Sequence, residues 1–212
     1  MFDVLIIGGG VSGISCALVL GSAKNKLFVV DKKIGIITHQ KNSSLQEAIL
    51  NNVYGIPHGK LGSDLLLETT HHLSETYPHI VQISNEKVIK IDGDFTSLVR
   101  SSSSCSEFTI TTNKNIYKSK TVVVGIGAAN TFAIEGLLQY VEPHKKIPAE
   151  KQRIQLKNND YLVFEGIYVI GTLAGLRSQV AIAAGSGAAV ATDILTLWNG
   201  GIQTQSHDSI KK

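Results

Sequence analysis

Short apolar runs that lead into glycine are the most regular hydrophobic feature of the chain. Phe2–Ile7 is rich in β-branched residues, and residues 121–124 and 166–170 have the same character. Runs of this length without regular polar alternation are typical of strands that are buried on both faces of a parallel sheet. Residues 27–31 are predicted to form the second such strand, so the pattern predicts a central parallel sheet.

Helical spacing of apolar positions follows the first strand at residues 11–20 and recurs at residues 65–77, where Ser63 is the predicted N-cap. A last helix is predicted over residues 179–198, which are rich in Ala and Gly on one face, and a short helix over residues 45–52. Strands and helices that alternate along a chain are typical of an α/β fold.

The middle of the chain alternates apolar with polar residues, a pattern that is typical of half-buried antiparallel strands. Turn residues separate four such runs, at residues 81–91, 95–100, 108–112 and 115–117. We therefore predict a small antiparallel β-meander beside the parallel sheet.

These elements predict one domain over residues 1–200, built from two halves. The halves, residues 1–133 and 164–200, are joined by residues 134–163, a polar connector of weak periodicity. Residues 201–212 are expected to form a flexible tail.

The first glycine cluster reads Gly8-Gly9-Gly10-Val11-Ser12-Gly13 and fits G-x-G-x-x-G between a strand and a helix. In this motif the first glycine permits a tight turn, the second lets the backbone approach a pyrophosphate, and the third lets the helix pack on the strand. The first amides of the helix suit a diphosphate. Asp31, at the end of the predicted second strand, is expected to accept hydrogen bonds from a ribose, with Lys32 beside it. The unit predicts a dinucleotide, either NAD(P) or FAD, and a glycine turn that binds nothing is the alternative.

Charge and cysteine content argue against several classes of protein. The net charge of +3 is spread along the chain, whereas a nucleic-acid binder concentrates basic residues on one face. Cys16 and Cys105 form no C-x-x-C, so the sequence encodes no local zinc or dithiol site, and the seven histidines show no metal-ligand spacing. We expect Cys16 in the core and Cys105 at an edge of the meander.

The same features predict a cytoplasmic protein that contacts neither a membrane nor nucleic acid. Two cysteines far apart in sequence are most simply interpreted as reduced intracellular thiols. The longest late apolar stretch, residues 180–197, is interrupted by Gly, Ser and Asp, which makes it a poor membrane span.

Four segments occur in an order that distinguishes FAD from NAD(P). They are NNVYGIPHGKLGSDLL at residues 51–66, the short meander, TVVVGIGAAN, and GIYVIGTLAGLRSQVAIAAGSGAAVA. In this order they resemble the FAD-binding domain of the low-molecular-weight thioredoxin reductases and their relatives in the pyridine nucleotide-disulfide oxidoreductase superfamily. The resemblance covers most of residues 1–135 and 164–198 and implies a Rossmann-like FAD-binding domain.

The resemblance also implies a set of cofactor contacts along the chain. The glycines of the first turn would hold the FAD pyrophosphate, and the backbone at one meander position would meet the adenine. An asparagine would lie near the flavin ring, and the last helix would point its N-terminus at the flavin pyrimidine and favour electron-rich flavin. The residues at these positions are Gly8, Gly10, Gly13, Asp31, Asn52, Val88, Gly127, Gly171, Gln179, Val180 and Ala181.

Two departures from the family change the expected function. Thr172 stands where the family has the aspartate of a G-D pair, so one charge-assisted contact is missing. Only about thirty residues replace the NADPH-binding domain that carries C-x-x-C in the family, so thioredoxin reductase activity is not expected. His39 lies in a loop that the family places near the flavin, as a candidate proton donor, and no catalytic residue is assigned.

We expect an FAD-dependent oxidoreductase that uses an external electron donor or a protein partner. A non-catalytic flavin-binding regulatory or scaffold protein is the first alternative, and an NAD(P)-binding Rossmann protein is the second. In the related reductases another domain and a dimer partner cover part of the FAD domain. We therefore expect at least a homodimer here, with the flavin near the subunit interface.

Overall fold

The computed structural model describes residues 1–38, 43, 45–95 and 107–206. Its strands are β1 (Phe2–Ile7), β2 (Ile34–Thr38), β3 (Ile49–Leu50), β4 (Lys60–Leu61), β5 (Val81–Ser84), β6 (Val88–Asp92), β7 (Phe108–Thr112), β8 (Ile116–Val124), β9 (Val141–Pro143), β10 (Ile154–Leu156), β11 (Leu162–Phe164) and β12 (Ile167–Val169). Its helices are α1 (Val11–Ser22), α2 (Gly62–Thr76) and α3 (Val180–Trp198), with short 3-10 helices at Leu138–Tyr140, Ala149–Lys151 and Gly171–Ala174. The predictions for His39, for Cys105 and for most of the run 95–100 lie outside the described residues.

A mostly parallel sheet forms the centre of the described structure. Its strand order is β11-β12-β8-β1-β2-β5, and the strands from β12 to β5 are parallel. β11 pairs antiparallel with β12 at one edge, and the antiparallel strands β6 and β7 extend from β8. The predicted α/β Rossmann-like fold with a central parallel sheet and a small antiparallel meander is confirmed.

β1 has no polar face because its side chains enter two different apolar layers. Val4 and Ile6 pack with α1, α2 and α3 on one side of the sheet. Leu5 and Ile7 pack on the other side with residues of the meander and of the 134–164 segment. Successive side chains of a strand point to opposite faces, so a strand covered on both sides needs an unbroken apolar run.

The second parallel strand is β2, and the prediction of a strand at residues 27–31 is wrong. The chain forms turns there, with Leu27 94% exposed and Val30 64% exposed, whereas the first four residues of β2 are buried. Gly35 of β2 leaves space for the Phe2 side chain of β1, because an added Cβ would lie 2.6 Å from Phe2 Cε1. Both runs are short and apolar, so the hydrophobic pattern alone could not choose between them.

Other element boundaries also differ from prediction. Residues 45–52 form a turn followed by β3 instead of a helix, and α2 begins at Gly62 with Leu61 as its N-cap instead of Ser63. Residues 81–91 divide into β5, which joins the parallel sheet, and β6. Of the predicted run 115–117, residues 116 and 117 belong to β8. The polar–apolar pattern of β8 changes along the strand because its first half pairs with the meander and its second half enters the buried sheet.

The segment of residues 134–163, predicted as a polar connector of weak periodicity, contains short strands that the sequence did not indicate. β9 and β10 form an antiparallel hairpin, and β11 extends the main sheet. Ile134, Leu137 and Leu156 are buried in the core. Polar residues separate these apolar ones, so the sequence shows no regular hydrophobic pattern in this segment.

Among the described residues, α3 is the helix that is long and apolar enough to cross a membrane by length and composition. A single helix of this kind is weak evidence for a membrane span, because core helices of similar length and composition have the same property. Val190, Ile194 and Leu195 are buried in the core beside α1, and Ser15 Oγ donates to the Ala184 carbonyl at 2.8 Å. Core packing accounts for the apolar residues on this face of the helix.

Candidate functional site

Turns that follow the parallel strands meet at the carboxyl edge of the sheet. β1 leads into Gly8, β2 ends at Thr38, β8 leads into Gly125 and β12 is followed by the turn that begins at Gly171. The Gly8 N–H donates to β2 at 2.9 Å and the Gly125 N–H donates to β1 at 2.8 Å. Ligands of open α/β sheets bind in the crevice at this edge.

The three motif glycines have three different environments. Gly8 has φ +117°, and an added Cβ would lie 2.3 Å from the Gly125 carbonyl oxygen. A Cβ at Gly13 would lie 1.8 Å from the Gly8 carbonyl oxygen, so helix and turn touch there. A Cβ at Gly10 would meet nothing within 4 Å. The turn is therefore tight at two positions and open at the third.

The N-terminus of α1 fits a bound diphosphate. Its N-cap, Gly10, offers no side-chain hydrogen bond, and the first turn contains no acidic residue. The first amides of the helix, at Val11, Ser12 and Gly13, have no acceptor within the helix. An open backbone face next to unpaired amides and a positive helix end is the environment that a pyrophosphate requires.

The N-terminus of α3 has the same character. Gln179 is its N-cap, with no side-chain hydrogen bond and no acidic residue in the first turn, and Val180 and Ala181 follow it. Gly127, after β8, has φ +79° and open space where a Cβ would be. The first turns of α1 and α3 contain no carboxylate, and the N-terminal ends of both helices favour negative charge.

The turn after β12 connects both helices to the sheet. Gly171 has φ +68°, its N–H donates to Ser186 Oγ of α3 at 2.9 Å, and an added Cβ would lie 2.9 Å from Ser12 Oγ of α1. Thr172, next to it, is half-buried, and its carbonyl accepts the Gly175 N–H at 3.0 Å. The structure therefore brings Gly8, Gly10, Val11, Ser12, Gly13, Gly127, Gly171, Thr172 and the first residues of α3 to one edge.

Asp31 and Lys32 lie at the opposite edge of the sheet, so the position predicted for Asp31 is wrong. They precede β2 beside the start of β1, where the Asp3 N–H donates to the Lys33 carbonyl at 2.8 Å. Lys32 Nζ lies 3.8 Å from Asp3 Oδ1 and 5.5 Å from the ring centre of Trp198, at the C-terminal end of α3. The ribose role was inferred from a strand end that does not exist there.

Asn52 and Val88 are placed less directly. Asn52 is exposed in the bend after β3 and makes no hydrogen bond or ion pair within the described part of the chain. Val88 is buried and begins β6, three residues after Asn85, whose N–H donates to the Thr38 carbonyl at 3.0 Å. The chain therefore enters the meander from the carboxyl end of β2.

The structure adds two residues that the sequence did not single out. Thr38, at the carboxyl end of β2, lies where an added Cβ at Gly9 would approach its Cγ2 to 2.7 Å. His144 is buried, and its Nε2 lies 3.1 Å from the Thr172 carbonyl oxygen. Finding Thr38 requires the correct second strand, and no local pattern marks His144.

Cys16 is a buried residue of α1, as expected for a core position. Burial raises the pKa of its thiol, so the reactive thiolate is disfavoured. Among the described residues, no group of three or more His, Cys, Asp or Glu side chains forms a metal site.

Comparison with known proteins gives a family match and a fold match. The family model for pyridine nucleotide-disulphide oxidoreductases matches residues 2–188. A comparison with curated proteins gives no match.

Several solved structures share the fold at low sequence identity. A thioredoxin reductase from Gloeobacter violaceus has a TM-score of 0.68 at 14% identity, with 99% of this chain and 99% of that chain covered. An oxidoreductase from Agrobacterium tumefaciens has a TM-score of 0.66 at 14% identity, covering 92% and 98%. A ferredoxin-flavin thioredoxin reductase from Clostridium acetobutylicum has a TM-score of 0.65 at 16% identity, covering 93% and 98%.

Proposed function

The chain belongs to the pyridine nucleotide-disulphide oxidoreductase family, and on that basis we propose that it is an FAD-dependent oxidoreductase of the cytoplasm. Membership of this family and the thioredoxin reductase-like fold imply a flavin cofactor. FAD is the flavin proposed, because the motif at the start of α1 suits a diphosphate, which FMN lacks.

The observation that carries the proposal is the open face of Gly10 beside the N-terminus of α1. The neighbouring positions Gly8 and Gly13 are in tight contact, whereas the space next to Gly10 is free over 4 Å. The turn is tight except at Gly10, and it leads into a helix whose N-terminus has no side-chain cap. This arrangement supports pyrophosphate binding.

The chain's own residues bind and orient the cofactor, which supplies the redox chemistry when bound. The amides at the start of α1 would hold the pyrophosphate, and Thr38 lies at the strand end next to that turn. Gly171 contacts both helices, since its N–H donates to Ser186 Oγ of α3 and it lies next to Ser12 Oγ of α1, and Thr172 follows it. The positive N-terminal end of α3, at Gln179, would favour negative charge on a flavin bound there.

The proposed electron donor is an external small molecule or a partner protein. The sequence has two cysteines and no C-x-x-C, and Cys16 is buried with a raised thiol pKa. A dithiol relay within this chain is therefore not part of the proposal.

Titration of the purified protein with FAD tests the proposal. We expect flavin absorbance to remain with the protein and the melting temperature to rise, since a ligand that binds only the folded state stabilises it. Gly10→Leu should abolish uptake without unfolding the protein, because its side chain enters open space where the pyrophosphate would lie.

Gly185→Leu is the matched control for Gly10→Leu. Gly185 also has nothing within 4 Å of an added Cβ, but it lies on α3 and not in the glycine turn after β1. This variant should bind FAD as the wild type does. A wild-type protein that neither binds saturating FAD nor gains thermal stability from it would contradict the proposal.

A non-catalytic flavin-binding role is the second candidate, favoured by Thr172 and by the short segment of residues 134–163. Anaerobic reduction of the FAD-loaded protein distinguishes the two. Bleaching by NADH or NADPH with turnover supports an enzyme, whereas bleaching by dithionite alone supports the regulatory or scaffold role. An extracted nicotinamide instead of a flavin would support the NAD(P) alternative.

A further inference from the structure

The hairpin of β9 and β10 packs against two of the turns at the candidate site. The Ile154 N–H donates to the Ala128 carbonyl at 3.2 Å, just beyond the turn that follows β8. On its other side the hairpin contacts the turn of Gly171–Ala174 through His144 and Gln155. The hairpin therefore bridges the turns that follow β8 and β12.

His144 is held in one tautomer by two backbone groups. Its Nδ1 accepts the Lys146 N–H at 3.1 Å, and a backbone N–H can only donate. A neutral imidazole has one donor and one acceptor, so the proton lies on Nε2. Nε2 then donates to the Thr172 carbonyl at 3.1 Å.

Gln155 supports the same turn from the neighbouring strand. It is buried, its Oε1 accepts the Lys145 N–H at 3.0 Å, and its Nε2 donates to Glu142 at 2.8 Å. Gly175, which ends the turn, has φ +80°, and an added Cβ would lie 2.6 Å from Gln155 Oε1. Little space remains for the turn to move towards the hairpin.

We propose that His144 is a positioning residue, which holds the Thr172 turn in the shape that binds FAD only while its imidazole is neutral. This inference rests on the proposed FAD binding. A protonated imidazole has two donors, so its Nδ1–H would oppose the Lys146 N–H and the ring would have to move. FAD affinity should therefore fall as the pH is lowered.

The charged groups around His144 belong mainly to the hairpin itself. The titratable side chains of the hairpin are Glu142, Lys145, Lys146, Glu150, Lys151 and Arg153. Glu142 is already paired, because its Oε1 lies 2.7 Å from Lys145 Nζ and accepts from Gln155. The turn after β12 has no charged side chain before Arg177, and residues 125–132 after β8 have none.

The test measures the dissociation constant of FAD between about pH 5 and pH 8, the interval in which imidazoles change charge. The variants are His144→Gln, His144→Ala and, as a control, His79→Gln. His79 is exposed and lies just before β5, at the edge of the sheet remote from the site. Circular dichroism at each pH verifies that every variant is folded.

We expect wild type and His79→Gln to bind FAD about five- to tenfold more weakly at the low end of this range, as the loss of one buried hydrogen bond implies. His144→Gln, which has a donor and an acceptor but does not titrate, should show no such pH dependence. His144→Ala should be weakened at every pH. Nitrogen NMR of the flavin-free protein at pH 8 should show His144 protonated at Nε2.

Unchanged pH dependence in the folded His144→Gln variant would overturn the role of His144, as would the Nδ1–H tautomer. These results leave the proposed function intact, since they concern a protein that binds FAD. A wild-type protein that does not bind FAD at pH 8 contradicts the proposed function itself, and this inference with it.

Discussion

The Thr172 hydroxyl makes no hydrogen bond to the part of the chain that the structure describes, although its carbonyl accepts two. The family resemblance implies an aspartate here that contacts the flavin side of the cofactor. Thr172→Asp should therefore strengthen FAD binding by about 1–2 kcal/mol, since hydrogen bonds that involve a charged group are stronger. Calorimetric titration with FAD measures the difference.

Thr172→Asn is the matched control for this substitution. It has nearly the shape of aspartate without the charge, so it should gain clearly less affinity than Thr172→Asp. If the aspartate variant binds FAD no better than wild type, the flavin end of the cofactor is held differently from the family.

Residue-scale prediction was reliable where the geometry requires glycine. Gly8 and Gly13 leave no space for a side chain, so glycine is required at these two positions of the motif. Asp31 has no such requirement, because its proposed role depended on which apolar run becomes the second strand. Because residues 27–31 form turns, Thr38 instead of Asp31 lies at the carboxyl end of the second parallel strand.

At the scale of elements, the contact between α1 and α3 depends on one glycine. A Cβ at Gly187 would lie 2.0 Å from the Ser12 carbonyl oxygen and 3.0 Å from the Cys16 nitrogen. Gly187→Ala should lower the free energy of unfolding by about 2–3 kcal/mol, because the helices must separate to fit the methyl group. Urea denaturation measures this change.

Gly185→Ala, two residues earlier on α3, provides the comparison. An added Cβ there meets nothing within 4 Å, so the substitution should be neutral or should stabilise the helix by up to about 1 kcal/mol. Equal losses of stability in both variants would mean that the close contact between the helices is not the cause.

Elements were predictable from sequence where burial on both faces produces an unbroken apolar run, as in β1. The hairpin of β9 and β10 was not predictable, because its buried residues, such as Leu156 and His144, are isolated among polar ones. Their burial depends on contacts with the turn after β12, about fifteen to thirty residues further along the chain. Local hydrophobic periodicity does not indicate contacts between residues that are this far apart in sequence.

At the scale of the whole molecule, apolar side chains are exposed next to the candidate site. Ile126, between two glycines of the β8 turn, is 41% exposed, and Ile182, in the first turn of α3, is 39% exposed. We propose a homodimer that covers this edge. Light scattering of the FAD-loaded protein at micromolar concentration should give at least twice the chain mass of 22.8 kDa.

Ile182→Glu should shift the protein towards the monomer, because a buried carboxylate without a partner disfavours the interface. Ile116→Glu is the control, since Ile116 is 69% exposed at the other end of β8. A monomeric mass for the wild-type protein would contradict the homodimer and favour a different protein as the cover.

The packing of α1 on α3 also determines when the site can form during synthesis. Ser15 and Ala184, which share a hydrogen bond, are 169 residues apart in sequence. At translation rates of roughly 5–20 residues per second, α1 is synthesised some ten to thirty seconds before α3. The glycine turn is thus synthesised well before the helix that completes its packing. Until α3 emerges, the apolar face of α1 is exposed to chaperones and to aggregation, so the proposed cofactor site is complete only after α3 has been synthesised.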